Sequence, residues 1–437
     1  MRQKWLIAGI LIVALLCLCS GIIFVTVTAL APFREAGINW VFFQRNNVSA
    51  ESDEVQRLTV NGAANLSVDN IAGDISVIAG EGSEIVITAH KTTWGTTEAD
   101  AQANLDALKV NITQDGDMVN VKVEQPETIV IAGSGRSSSV DFTITVPHET
   151  AVTLSTDSGV VTLSGTKGNA DVSSQYGDIT VNNLEAGLTV DTSSGNLDVH
   201  NVVAGNAPLT LHSDYGDITL MNASGGEIKV DASSGALSLN DIQARAGLNL
   251  SSGYGQIDLR TGNAASTNIS AGSGSINLTD LSVTETLIAH SDYGDVSLSG
   301  VAAASYDLSS NSGVIKVDGA SGFLKAVSSY GNLEVTNANL VNLDLSTESG
   351  TVTFSGSLGE GPHTIHSSYG GIELTIPQTS SLTIDLKTDY GRVRSDLPVT
   401  ISGDLTEEHW IGTINGGGAS LTVSTNSGDI ILKSITP

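Results

Sequence analysis

The sequence predicts an all-β protein, namely a single-stranded parallel β-helix (β-solenoid) of about 15 coils with an irregular β-rich N-terminal cap and one preceding transmembrane helix. Three observations lead to this prediction. A glycine-centred motif recurs fourteen times, apolar and polar residues alternate around each glycine, and the N-terminus is apolar. The 437 residues therefore divide into a cytoplasmic tail (1–4), a signal anchor (5–31), a linker (32–57), a cap region (58–150) and a repeat domain (151–437).

The N-terminal segment has the properties of a membrane anchor. Residues 5–31 carry no charge and are long enough to cross a bilayer. Arg2 and Lys4 precede them, which favours a cytoplasmic N-terminus and an extracytoplasmic bulk, so the lipid bilayer is a predicted partner. A cleaved signal peptide is the alternative, because residues 29–31 have a small-x-small pattern. Both cysteines lie within the apolar run, so the exported part depends on its core rather than on disulfides.

The cap region is β-rich but less regular than the repeats. Residues 71–77 form an early copy of the motif, and residues 84–89 alternate as a strand does. Because the bare end of a solenoid would aggregate, we expect this region to cover the first coil. Residues 132–139 (AGSGRSSS) are predicted to form a flexible loop.

One segment of the cap region is predicted to be helical. It runs from Thr97 to Leu108 (TEADAQANLDAL), with acidic residues early in the segment. Thr97 can accept a hydrogen bond from the first turn, and Ala101, Leu105 and Leu108 would share one face. We expect that face to pack against the cap.

From residue 151 onwards a single motif recurs, and residues 212–220 (HSDYGDITL) are its clearest copy. Its glycines lie 18 to 21 residues apart, except for a last interval of 37 that we interpret as two coils with one motif eroded. Apolar residues stand five before and two after each glycine, so each motif is a strand, a tight turn and a strand. We expect the glycine to adopt a positive φ. The column consists of Gly159, Gly177, Gly195, Gly216, Gly235, Gly255, Gly274, Gly294, Gly313, Gly331, Gly350, Gly370, Gly391 and Gly428.

The residue before the glycine alternates between serine and tyrosine along the chain, and this alternation breaks only between Tyr369 and Tyr390. One interpretation is a packing ladder, in which a ring on every coil would be too large. The other is an exposed aromatic row with a period of about 9.6 Å, twice the strand spacing, on which sugar rings could stack. The sequence does not decide whether the rings face inwards or outwards. The candidate ligand-binding face consists of Tyr176, Tyr215, Tyr254, Tyr293, Tyr330 and Tyr369.

The composition restricts the partners of such a protein. Asp and Glu total 47 against 19 Lys and Arg, which gives a formal charge of −28. This charge repels nucleic acid and anionic membrane surfaces, so we predict no nucleic-acid partner. It keeps a long β-rod soluble, and it could attract Ca²⁺ or cationic partners.

Candidate catalytic and metal-binding residues are few, and we predict no enzyme activity, no cofactor and no metal site beyond weak Ca²⁺ binding. Single aspartates follow the glycine at positions 178, 217, 295 and 429, and others precede the tyrosine at positions 214, 292 and 389. Aspartates in such turns usually bond to the backbone. The column of His212, His290 and His366 is about four coils apart, or about 19 Å, too far to share an ion.

The repeat is interrupted near the C-terminus, between Gly391 and Gly428. This segment gathers two arginines, two glutamates, a histidine and a tryptophan. It is either a cap, which must depart from the repeat, or a grafted site; we favour the cap. The residues concerned are Arg392, Arg394, Glu407, Glu408, His409 and Trp410.

The GDISV segment after Ala72, the tandem SxSG and SxYGDI motifs and the INGGG run at residues 414–418 resemble the bacterial putative-adhesin domain family. The resemblance covers about residues 58–432 and implies an envelope or exported β-helix with no established catalytic residues. We therefore predict a membrane-anchored, extracytoplasmic, adhesin-like protein that binds or spaces envelope components, glycans among them. The alternatives are a structural or signalling module of the cell envelope and, third, a β-helical polysaccharide-active enzyme.

Overall fold

The computed structural model describes residues 48–125, 138–404 and 406–435. The predicted tail and anchor lie outside these residues, as does nearly all of the predicted loop 132–139. In the part of the chain that the structure describes, no helix is long and apolar enough to cross a membrane. The described part is an all-β parallel solenoid with 3% helix, which confirms the predicted fold class.

In the central region two strands flank each glycine, and each strand stacks in parallel on the same strand of the next coil. Val172 pairs with Val190, and Val190 pairs with Leu211, so the residues five positions before the glycine lie in one column. Residues two and four positions after the glycine form similar columns, for example Ile179 on Leu197. These columns are buried and fill the bore of the solenoid with Val, Leu and Ile.

The central strands are β8 (Ala151–Ser158), β9 (Val161–Ser164), β10 (Ala170–Tyr176), β11 (Ile179–Leu184), β12 (Leu188–Ser194), β13 (Leu197–Val203), β14 (Leu209–Ser213), β15 (Ile218–Gly225), β16 (Ile228–Ala232), β17 (Leu237–Ser252), β18 (Ile257–Ala271), β19 (Ile276–Ser291), β20 (Val296–Ser299), β21 (Ala302–Ser310), β22 (Ile315–Asp318), β23 (Gly322–Ser328), β24 (Leu333–Thr347), β25 (Val352–Leu358), β26 (His363–Ser367) and β27 (Ile372–Pro377).

The continuous path of the solenoid makes about 11 turns, so the predicted count of 15 coils is wrong. The prediction counted every motif as one further turn of a continuous path. From β8 to β27 the path is continuous, and each coil stacks on the one before it. The motifs at both ends belong to coils that the chain forms out of sequence order.

The N-terminal end contains seven strands and one helix. The coil made by residues 65–80, with Gly73 at its turn, lies between strands β6 and β7 on one side and the first central coil on the other. The early copy of the motif thus stacks in register with the later ones. The elements are β1 (Val48–Thr59), β2 (Asn65–Ala72), β3 (Ile75–Gly80), β4 (Glu84–Gly95), α1 (Glu98–Ala107), β5 (Lys109–Asp115), β6 (Met118–Glu124) and β7 (Ser139–Pro147).

Antiparallel strands complete this end. β1 pairs with β4, β4 pairs with β7, and β5 pairs with β6. β1 begins at Val48, so residues 48–57 of the predicted linker are strand. An edge strand exposes one face to solvent and often carries charge there. The composition of residues 48–57 therefore resembles that of a linker.

Helix α1 packs on the cap as predicted. The Oγ1 of Thr97 accepts a hydrogen bond from the Asp100 amide at 3.1 Å and so caps the helix. Ala101, Leu105 and Leu108 are buried. The helix contacts β1 and β4, so its apolar face covers part of the cap region.

The C-terminal end reverses the order of two coils. The last coil, residues 419–435, lies between the coil of residues 363–377 and the coil of residues 382–395. The 37-residue interval therefore does not hide an eroded coil, and that interpretation is wrong. The segment between the two coils leaves the stack and forms a cap. The strands are β28 (Leu382–Thr388), β29 (Val393–Ser395), β30 (Val399–Ile401), β31 (His409–Ile414), β32 (Ala419–Thr425) and β33 (Ile430–Ile435).

The interrupted segment folds as a cap. β31 runs antiparallel to β28 on one side and to β30 on the other, so it covers the outermost edge of that sheet. Arg392 pairs with Glu407 at 3.3 Å, and His409 Nε2 lies 2.8 Å from Asp385. The Trp410 indole donates to the Thr406 carbonyl at 2.9 Å. The charged and aromatic side chains of the interrupted segment thus stabilise the cap.

Candidate functional site

The turn at each repeat glycine, hereafter the glycine corner, is built by close approach of successive backbones. A Cβ atom on Gly216 would lie 1.8 Å from the Gly195 carbonyl oxygen. Within this column the expected positive φ occurs only at Gly159, and it occurs also at Gly73 in the early copy of the motif. Glycine is therefore required because any side chain would collide with the coil below, and the turn itself needs no left-handed backbone.

A buried hydroxyl three residues before the glycine fastens the corner. Ser213 Oγ accepts from the Gly216 amide at 2.8 Å and donates to the Gly195 carbonyl at 3.1 Å. The side chain thus closes its own turn and ties it to the preceding coil. The same pair of bonds is made by Ser252, Ser291, Ser310, Ser328, Thr347 and Ser367.

The aspartates that follow the glycine also connect coils. Asp217 Oδ1 accepts from the Ala236 amide at 2.8 Å, and Asp295 Oδ1 accepts from the Val314 amide at 2.8 Å. Asp178 and Asp429 make the equivalent bonds to Asn196 and Arg392. These carboxylates bond to the backbone of the neighbouring coil, whereas the sequence suggested bonds within their own turn.

The aspartates before the tyrosine are also engaged. Asp214 lies 3.4 Å from His212 and accepts from the Ser233 hydroxyl. Asp292 lies 3.2 Å from His290 and accepts from the Asn311 amide at 3.0 Å. In the described ranges, no group of three or more His, Cys, Asp or Glu could hold a metal ion.

The three histidines of one column are not brought together. His212 Nδ1 lies 3.0 Å from Asp231, His290 Nδ1 lies 2.8 Å from Ser309, and His366 Nδ1 lies 2.9 Å from Ser424. Each histidine thus contacts a side chain of the adjacent coil.

The tyrosines before the glycine all point outwards. Their exposed fractions lie between 64% and 83%, so the question left open by the sequence is decided in favour of exposed rings. The remaining tyrosine of the chain, Tyr306, is fully buried and donates its hydroxyl to the Val301 carbonyl at 2.7 Å. The exposed set, hereafter the tyrosine row, consists of Tyr176, Tyr215, Tyr254, Tyr293, Tyr330, Tyr369 and Tyr390.

Each ring of the tyrosine row has a serine coil on either side, except Tyr390, whose coil has a serine coil on one side and the cap strand β31 on the other. Tyr176, for example, pairs with Ser158 of one neighbouring coil and Ser194 of the other. Polar side chains flank the rings: Asp214 and Asp217 lie beside Tyr215, and equivalent aspartates lie beside Tyr293. The row is an exposed, regularly spaced set of aromatic rings on an acidic edge.

The second corner of the coil lies six residues after the glycine and was not predicted from the sequence. Non-glycine residues there have positive φ, for example 56° at Asn183 and Asn201. Asn222 Nδ2 donates to Asn201 Oδ1 at 3.1 Å, and Asn201 donates to Asn182 at 3.0 Å. The signal was present as a column of Asn, Asp and Gly, the residues that most readily adopt this conformation.

Solved structures show distant likeness. A "putative cell adhesion protein" from Clostridium sporogenes is 8% identical over 88% of this chain and 100% of that chain, with a TM-score of 0.18. "Putative adhesin" structures from Bacteroides fragilis and Parabacteroides distasonis are each 13% identical over 70% of this chain and 97% of theirs, with TM-scores of 0.27 and 0.26. At such scores these structures support no specific ligand.

The family comparison is more extensive. A search among curated proteins found no match. The family model described as Toastrack DUF4097 matches residues 63–271, 248–359 and 343–433, which overlap and include the cap and the solenoid. The predicted resemblance to an adhesin-like family is thereby confirmed. The chain belongs to the Toastrack DUF4097 family.

Proposed function

We propose that this protein is a membrane-anchored, extracytoplasmic, adhesin-like β-solenoid that binds envelope or surface components, glycans above all, through its tyrosine row. The observation that carries this proposal is the exposure of seven tyrosines, 64% to 83% each, at every second coil of one edge. A buried packing ladder would not leave the rings in solvent. Aromatic faces in solvent are suited to stacking on the apolar faces of sugar rings.

The mechanism is multivalent contact. Each ring contributes a weak contact, and the next ring is held about 9.6 Å away by the solenoid. Once one ring has bound a polymeric ligand, the others meet it at high effective concentration, so modest affinities accumulate. The rigid glycine corner favours this mechanism, because the rings lose little freedom of relative movement on binding.

The charge of the chain restricts the ligand. Near the row, Asp214, Asp217, Asp292 and Asp295 contribute to the formal charge of −28. An anionic polymer would be repelled by such an edge. The ligand is therefore an uncharged or cationic one, and uncharged glycans fit both the rings and the hydrogen-bonding carboxylates.

The proposed location follows from the N-terminal sequence. Residues 5–31 would anchor the protein in the cell membrane, with Arg2 and Lys4 on the cytoplasmic side. The solenoid would then lie on the extracytoplasmic side, within reach of wall or surface polymers.

The test is a glycan-array and cell-wall pull-down screen of the full chain in lipid nanodiscs, with and without Ca²⁺. The variant Tyr215→Ser/Tyr254→Ser/Tyr293→Ser installs the residue that the alternate coils already carry, so its fold should be retained. We expect its binding to weaken more than tenfold.

The matched control is Ser234→Ala/Ser273→Ala/Ser312→Ala, which alters the same column without touching a ring and should bind as the parent does. If the parent binds glycans and the tyrosine variant binds equally well, the row is not the site. If the parent binds no glycan, the proposal is wrong, and a structural spacer becomes the better interpretation, because both ends of the solenoid are covered.

A further inference from the structure

The alternation of tyrosine and serine follows the order of the coils in space rather than in the chain. Along the chain, Tyr369 is followed directly by Tyr390, which breaks the pattern. In the structure the coil that carries Ser427 lies between them, because Ser427 donates its amide to Ser368 and Tyr390 donates its amide to Asn426. From Ser158 to Tyr390 every second coil therefore carries a ring.

This regularity is not explained by packing or by simple repetition. The rings are exposed, so no buried volume limits them to every second coil. Tandem duplication of a two-coil unit would not place a serine coil from residues 419–435 between two tyrosine coils. What the alternation does preserve, along the whole row, is the distance between rings.

The distance is one that a polymer can match. Two strand spacings amount to about 9.6 Å, so seven rings define six intervals and a row of about 58 Å. In an extended polysaccharide whose successive sugars are turned over, as in β-1,4-linked chains, every second sugar presents the same face to one side. Two sugar units of such a chain occupy about the same length as two strand spacings.

We propose that the tyrosine row binds an uncharged polysaccharide in an extended conformation of this kind, with its axis parallel to the solenoid and every second sugar stacked on one tyrosine. This inference rests on the proposed function, since it specifies the ligand of the same row. Sugars that face away from the row remain available to solvent, and polymers that coil helically, such as α-1,4-linked glucans, cannot stay in register.

The polar groups beside the rings fit this assignment. Gln256 lies next to the Tyr254 turn and Asn332 next to the Tyr330 turn, while Asp217 and Asp295 occupy the same position at Tyr215 and Tyr293. One oxygen of each of these aspartates bonds to the next coil, and its other oxygen can accept from a sugar hydroxyl. Groups that can hydrogen-bond to sugar hydroxyls thus lie beside these four rings.

The experiment compares ligands of two geometries. Binding of the full chain in nanodiscs is measured by calorimetry with cello- and chito-oligosaccharides of increasing length and with malto-oligosaccharides of equal length. We expect affinity for the β-linked series to rise in steps of two sugars, about tenfold over the first steps. The malto-oligosaccharides should show no such increase.

A variant that keeps the number of rings but changes their spacing tests whether the spacing matters. Tyr254→Ser combined with Ser273→Tyr keeps seven rings but changes two intervals to three coils and one coil. We expect at least a tenfold loss of affinity for the longest β-linked ligand and little change for the shortest. The single variant Tyr254→Phe, which keeps ring and spacing, should bind as the parent does.

The outcomes separate the inference from the proposed function. Equal binding by the shifted variant, or equal binding of both ligand series, would overturn the extended-polymer inference while glycan binding stands. Absence of binding to every glycan would overturn both. If the shifted variant does not fold, as judged by circular dichroism, the length series of the parent decides the question alone.

Discussion

The glycine corner and the second corner both turn the chain from one strand to the next, but their backbones do so in different ways. At the glycine corner the backbones of successive coils touch, and a side chain on Gly216 would collide with Gly195. At the second corner Asn183, Asp241 and Thr261 all adopt positive φ near 55°, so several residue types are accepted. The coil lengths of 18 to 21 residues also differ on the second-corner side, between β13 and β14 for example.

The difference explains where a repeated site can be placed. An element that must recur at constant spacing needs a corner that cannot vary, and the tyrosines stand directly before the invariant glycine. The second corner absorbs insertions without disturbing the row. The predictions below test this contrast, beginning with the largest expected effect.

The first prediction concerns the glycine corner itself. Gly216→Ala places a Cβ against the Gly195 carbonyl, so the backbones must move apart and lose hydrogen bonds. We expect a loss of about 3 kcal/mol or more in the free energy of unfolding, measured by urea denaturation. The control is Gly205→Ala in the connection from β13 to β14, where φ is 63° and no atom lies within 4 Å. It should cost about 1 kcal/mol, and an equal loss for both variants would contradict the contrast.

The second prediction concerns the hydroxyl that fastens the corner. Ser213→Ala leaves the Gly216 amide and the Gly195 carbonyl without this buried partner. We expect a cost of about 2 kcal/mol. Ala232 occupies the same column, so Ala232→Ser is the converse variant and should gain about 1 kcal/mol. A neutral result for Ser213→Ala in the same denaturation experiment would show that the hydroxyl does not hold the corner.

The third prediction concerns acid stability and the side of the second corner. His363 begins β26 in the bore, where its Nδ1 accepts from the Leu343 amide at 3.3 Å and its Nε2 lies 3.2 Å from the Gly359 carbonyl. Burial lowers the pKa of His363 from its ordinary value of 6.5, and the bond to Gly359 opposes this only in part. The unfolded chain then binds a proton near pH 6.5 that the folded chain does not, so stability falls as the pH is lowered through 6.5.

The measurement is the urea midpoint between pH 7.5 and pH 5.5. We expect His363→Leu, which matches Leu343 and Leu421 in its column, to show a smaller decline than the parent. Its loss of the acceptor for Leu343 is independent of pH and does not affect this slope. Identical slopes for His363→Leu and the parent would refute the assignment.

The sequence predicted the fold correctly where a residue acts through a periodic pattern. Alternation around the glycine predicted the parallel columns of Val172 and Val190, and the cap signal at Thr97 predicted the start of α1. The sequence did not predict the stacking correctly where the order of coils in space departs from their order in the chain. Motif spacing cannot reveal that Gly428 stacks between Gly370 and Gly391, so the count of 15 coils and the eroded coil were both wrong.

The tyrosine row could be predicted from the sequence only in part. Its period could be read from the residues, but the orientation of the rings could not, because a ring at a turn can point either way from the same pattern. The sequence also did not reveal the hydrogen bonds of the Ser213 hydroxyl or the positive φ at the second corner, for example at Asn201, since both depend on contacts between coils.

The insertion of the last coil has a consequence for biosynthesis. Residues 382–395 emerge from the ribosome before their neighbour in the stack exists, so they must wait until residues 419–435 have been made. Only then can β32 pair with β26 on one side and with β28 on the other. Residues 419–435 therefore connect the cap to the rest of the stack, and a chain that lacks them would leave the C-terminal cap detached instead of merely shortening the rod.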